Sequence, residues 1–107
     1  MNHRPERVQS LIQEELGKLL LKEVEFPGLV TITGVEVDKH LELARIKLSV
    51  LPSSAEKKAL VIAKREEKHL QHLLVKKMNI KPMPQIRFEL DYGAENAARV
   101  EKLLLDK

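Results

Sequence analysis

Cysteine and tryptophan are absent from this chain of 107 residues, and two phenylalanines and one tyrosine are its only aromatic residues. Without cysteine there can be neither a disulfide nor a thiolate metal site. Phe26, Phe88 and Tyr92 are too few to build the stacking platform on which many proteins read single-stranded bases. The glycines are scattered at positions 17, 28, 34 and 93, so no glycine-rich loop can cradle a phosphate. No apolar run approaches the roughly eighteen residues of a membrane span, and the N-terminus lacks the series of a signal peptide. A cytoplasmic location is the expectation. Catalytic groupings are missing too: His69 and His72 lie three residues apart, yet no HExxH-type acid completes a metal site, and the acids fall on faces expected to be exposed. Neither enzyme activity, cofactor nor metal is expected.

What is present is charge, and its distribution matters more than its sum. The net charge is +3 from 19 basic and 16 acidic residues, with a pI near 9.2. Eight of the basic residues but only three of the acidic ones fall between Ser53 and Pro82, which leaves the rest of the chain net acidic. A cationic segment in a small protein is the electrostatic footprint of a polyanionic partner, although charged helices are also often plain solvated faces. The length allows one domain, residues 1–107, with one modest core.

Pro5 suits the first turn of a helix, and Val8, Leu11, Ile12, Leu16, Leu19 and Leu20 recur at helical spacing to about Val24. Gly17 inside this helix costs about 1 kcal/mol relative to alanine, so it marks either a close contact or a tolerated flaw. Phe26-Pro27-Gly28 breaks the pattern. Val30 to Val37 reads as a strand whose apolar phase switches at Gly34, which predicts a bulge. After a turn at Asp38-Lys39-His40, Ala44, Ile46, Leu48 and Val50 alternate with Arg45, Lys47 and Ser49. A third strand covers Gln85 to Asp91, with Arg87 and Glu89 outward. Ala97, Val100, Leu103 and Leu104 predict a short terminal helix.

Between Ser53 and Met78 lies one long helical pattern. Ser53-Ser54-Ala55-Glu56 has capping-box spacing, and Asn79 suits a helix C-cap. Ala59, Leu60, Ile62 and Ala63 form one apolar arm, and Leu70, Leu73, Leu74 and Met78 another. A straight helix would bury Glu66 and Glu67 between them. Unpaired carboxylates do not stay in a core, so the helix either bends and lifts this turn into water or carries a solvated ridge. The cations beside the acids, Lys64, Arg65 and Lys68, would then be placed to hold a phosphate backbone. Pairing with Glu66 and Glu67 as surface ion pairs, worth about 0–1 kcal/mol, is the plainer alternative.

The order is α-β-β-α-α-β with a short C-terminal helix, an α+β domain with helices on one face of a three-stranded sheet. The other face would be open, showing Arg45, Lys47 and Arg87. Arg4-Pro-Glu-Arg7-Val8 followed by Ile12-Gln-Glu-Glu-Leu16 resembles the N-terminal signature of ribosome-binding factor A. Val30-Thr-Ile-Thr-Gly-Val-Glu-Val37, Ala44-Arg-Ile-Lys-Leu-Ser-Val50 and Pro84-Gln-Ile-Arg-Phe-Glu-Leu-Asp91 extend the resemblance across nearly the whole chain. It implies a type II KH-like fold. It also implies a non-catalytic factor that binds 16S rRNA in the immature small (30S) ribosomal subunit, close to the decoding region, and supports late maturation, notably in the cold. RNA contact would fall to Lys64, Arg65, Lys68, Lys76, Lys77 and Lys81, with Arg4, Arg7, Arg45 and Lys47 as further candidates, the protein acting as a monomer. The alternative is a protein-interaction adaptor that uses the open sheet face or the C-terminal helix. The chain departs from the family at two places. Glu66-Glu67-Lys68 stands where the family usually kinks its paired helices at Ala-x-Gly, and Gln71 stands where an arginine is common.

Overall fold

Helix α1 (Pro5–Glu23) buries a stripe of Val8, Ile12, Leu16, Leu19 and Leu20. The structure is a computed structural model and describes residues 5–91. Arg4 and the predicted terminal helix lie outside the described residues.

Strands β1 (Leu29–Val37) and β2 (Leu43–Leu51) pair antiparallel. The register steps from Ile32↔Leu48 to Gly34↔Lys47, so Thr33 is the extra residue of a bulge. This insertion turns Val35 and Val37 to the side already facing Val30 and Ile32, as the change of phase predicts. The connecting turn is held by Asp38, whose Oδ1 accepts from the amides of Glu42 (2.7 Å) and Leu43 (3.0 Å). These amides hold the Asp38 carboxyl below its ordinary range, the Leu43 bond contributing most.

β2 is the central strand. Its Ala44, Ile46, Leu48 and Val50 are buried, and strand β3 (Gln85–Leu90) runs parallel along its other side, with Ala44 opposite Ile86 and Ile46 opposite Phe88. A parallel neighbour requires a crossover, which helices α2 (Glu56–Arg65) and α3 (Glu67–Met78) supply. α1 and α3 pack over one sheet face, closing a core of Ile12, Leu16, Ile46, Leu48, Leu70, Leu74, Ile86 and Phe88. Ala59 on α2 joins Val50 and Ala55 in a smaller cluster at one end.

Two expectations about the helix ends have different outcomes. Asn79 caps α3 in the left-handed conformation (φ 51°), its amide donating to the Val75 carbonyl at 3.2 Å. The capping box does not form. Pro52 is extended and its carbonyl accepts from Ala55 (2.9 Å), so Ser53–Ala55 make a single 3-10 turn. The Glu56 amide donates to the main-chain carbonyl of Ser53, which leaves the serine hydroxyl without that bond.

Candidate nucleic-acid interface

The long helical pattern breaks at one residue. Glu66 sits at φ −90°, ψ 0°, with its amide shared between the carbonyls of Ile62 (3.1 Å) and Ala63 (3.2 Å). α3 restarts at once, because the Leu70 amide donates to the Glu66 carbonyl at 2.9 Å. This bridge conformation is open to ordinary L residues. The turn therefore bends without the glycine expected from the family pattern.

The two acids are outside the core, since no charged residue among those described is buried, but they are not lifted into water. The Glu66 side chain keeps 28% of its exposure and Glu67 only 14%. Glu67 turns toward β3, where its Oε2 accepts from the Phe88 amide at 2.8 Å. One turn later Gln71 Oε1 accepts from the Ile86 amide at 2.7 Å, and its Nε2 donates to the Pro84 carbonyl at 3.0 Å. These main-chain groups lie on the edge of β3 away from β2, and an edge strand leaves such groups without partners. Glu67 and Gln71 thus sheath the sheet edge together. A carboxylate is a strong acceptor for an amide, and this explains why Glu67 points inward. The opposite edge is treated alike: on α1, Gln9 Oε1 accepts from the Val37 amide (3.0 Å) and Gln13 Nε2 donates to the Ile32 carbonyl (3.4 Å).

Around this bend lies an open groove lined by Lys64, Arg65, Lys68 and Arg87, with Glu67, Gln71, Gln85 and Ile86. Its ion pairs are long, although Arg87 also donates to the side-chain oxygen of Gln85 at 2.9 and 3.2 Å when that amide is turned to satisfy its surroundings. Lys64 is 3.6 Å from Glu67, Arg87 is 3.7 Å from Glu67, and Arg65 is 3.6 Å from its neighbour Glu66, all beyond good hydrogen-bonding distance. Lys68 has no ion pair among the described residues.

Arg45 and Lys47 belong to the open sheet face and are held tightly. Arg45 makes two bonds to Glu89 (2.8 and 3.1 Å) and one to Glu36 (3.3 Å), while Lys47 lies 2.7 Å from Glu36. Glu36 is directly opposite Arg45 in the ladder, so cross-strand attraction sets these pairs. Donating to these acids raises both basic groups above their ordinary values, and the Lys47 bond lowers Glu36. On the other side Arg45 is opposite Arg87. Like charges repel there, and Arg87 reaches over the sheet edge toward Glu67. The strand phase predicts Arg87 on the open face, outside the expected contact set, and carries no signal for its place in the groove.

The remaining candidates surround this region unevenly. Lys77 is tied to Glu15 on α1 at 2.8 Å, which lowers the Glu15 carboxyl. Lys76, Lys81 and Arg7 are exposed, with no ion pair among the described residues. Among those residues no cluster of three or more His, Cys, Asp or Glu is placed to hold a metal, and no helix is long and apolar enough to cross a membrane.

The element order, the strand order β1-β2-β3 with a parallel β2–β3 pair, and the broken helix pair on one sheet face define a KH-like α+β domain. The chain belongs to the ribosome-binding factor A family, whose model matches residues 4–104. Ribosome-binding factor A of Desulforamulus reducens is 33% identical over 97% of this chain and 89% of its own length. The crystal structure of the factor from Thermus thermophilus superposes with a TM-score of 0.72 at 17% identity, covering 82% of this chain and 97% of that one. A homology model of the Thermus thermophilus factor, fitted into a cryo-EM map of a 30S complex, gives a TM-score of 0.68 at 18% identity over 79% and 92% of the two chains.

Proposed function

We propose that this protein binds 16S rRNA of the immature 30S subunit through the groove at the α2–α3 break and supports late maturation of that particle without catalysing a reaction. The carrying observation is the convergence of Lys64, Arg65, Lys68 and Arg87 on one groove, where the three helix cations have only long ion pairs or, among the described residues, none. Loosely paired cations exchange readily onto phosphate, whereas Arg45 and Lys47 would first have to give up close carboxylates. Lys76 and Lys81 extend the basic surface, with Lys77 and Arg7 as outlying contacts and Arg4 as a further candidate. The complex of the Thermus thermophilus factor with the 30S subunit supports the same kind of partner here. The whole chain acts as one domain in the cytoplasm, as a monomer.

Without an aromatic platform, recognition rests on backbone and shape. Such a factor moves an rRNA equilibrium only as far as its affinities for the immature and mature conformations differ. Co-sedimentation with small subunits from assembly-arrested and normal cells tests the reading, and enrichment on the arrested particles is expected. Replacing Lys64, Arg65 and Lys68 by alanine should flatten the slope of log affinity against log salt by about 0.7–0.9 per lost contact. Equal binding to both particles, or an unchanged slope, would overturn it.

A further inference from the structure

The groove contains its own anions. Glu67 stands between Lys64 (3.6 Å) and Arg87 (3.7 Å), and Glu66 lies 3.6 Å from Arg65. Glu67 cannot swing away freely, because its Oε2 also accepts the Phe88 amide at 2.8 Å and its side chain is only 14% exposed. A carboxylate fixed by the sheet edge therefore occupies the position toward which two groove cations converge.

We propose that Glu66 and Glu67 act as built-in competitors of the RNA phosphate, setting the affinity of the groove low enough for release. The inference rests on the groove being the RNA site. A phosphate entering it draws Lys64 and Arg87 off Glu67 and meets the repulsion of a charge that cannot leave. The cost is paid in every complex, whatever the RNA sequence, so the acids tune residence on the particle rather than base preference. Lys68, with no ion pair among the described residues, offers the first contact.

The charge can be removed while the edge bond is kept, since the amide oxygen of Glu67→Gln can still accept from Phe88. Glu66→Gln is the second variant, because the Glu66 side chain makes no hydrogen bond to the sheet and its loss leaves β3 untouched. Each variant should bind a fluorescently labelled poly-U oligonucleotide and purified small ribosomal subunits about three- to tenfold more tightly than the parent at low salt. For Glu67→Gln the slope against log salt should steepen by about 0.7, one further cation being released to phosphate. A purely structural role would not move that slope. Unchanged or weaker binding by both variants would overturn the proposal. Running Lys64→Ala and Lys68→Ala beside them separates the two levels. If the lysine variants bind as the parent does, the groove itself is not the site. If they weaken binding while the glutamine variants change nothing, only the competitor role is lost.

Discussion

Replacing Gln71 by alanine isolates the sheath on β3. The change removes two hydrogen bonds, the acceptor for the Ile86 amide at 2.7 Å and the donor to the Pro84 carbonyl at 3.0 Å. Each is worth about 1 kcal/mol net, and an unsatisfied buried group costs about 1–3 kcal/mol. Gln71 is half-buried, so water can reach part of the vacated edge and the loss belongs at the lower end. Alanine returns a few tenths of a kcal/mol through helix propensity. The expected cost is about 1–2 kcal/mol, a fall in Tm of about 4–12 °C for a domain of this size. Urea unfolding should show a lower midpoint with an unchanged m value. Amide exchange gives the sharper measurement, because the Ile86 amide faces the outer edge while that of Arg87 faces β2. Exchange at Ile86 should accelerate about tenfold or more, and at Arg87 only as far as global stability falls. Equal acceleration at both amides, or a midpoint that does not move, would refute the view that this side chain replaces a missing strand. Gln71→Glu offers a control: it keeps the acceptor, loses the donor and sets a second carboxylate one turn from Glu67, so it should cost less than alanine at the Ile86 amide.

Other perturbations have equally definite outcomes. Gly17→Ala should stabilise the protein by up to about 1 kcal/mol, read as a higher Tm, because a Cβ there meets no atom within 4 Å. Gly28→Ala should destabilise it by about 1–3 kcal/mol in the same measurement, since the added Cβ runs into the Leu51 carbonyl and the backbone must shift. Acid should weaken the fold through Asp38, Glu36 and Glu15. Each folded carboxyl lies below its ordinary value, so its contribution is complete above that value and is lost as pH falls through the lowered one. Asp38→Asn keeps an acceptor for the turn, so its stability profile from neutral pH down to the carboxylate range should be flatter than the parent's in chemical unfolding.

Much of this architecture could be read from residue types because it is local. The alternation of Ala44, Ile46, Leu48 and Val50 defines the buried face of β2, and the phase change at Gly34 locates the bulge that the register shows. Two acids inside an apolar stripe betray the helix break, since a straight helix would have to bury them. Their destination could not be read. Glu67 reaches an amide 21 positions away, on a strand whose outer edge exists only once the crossover has placed it beside β2. The same limit applies to the cations. Arg45, Lys47 and Arg87 look alike on alternating strands, yet register gives Arg45 and Lys47 to Glu36 and Glu89 and sends Arg87 to the groove. Ser53 failed as a cap for a reason one residue away, the extended Pro52 whose carbonyl starts a tighter turn.

Four side chains, Gln9, Gln13, Glu67 and Gln71, occupy main-chain positions on the two outer strands that a neighbouring polypeptide would otherwise seek. The edges are thereby guarded by amide and carboxylate groups rather than by proline or a closed barrel. A relative with short apolar residues at those places would have to defend its flanks by other means, and grafting such residues here should promote self-association.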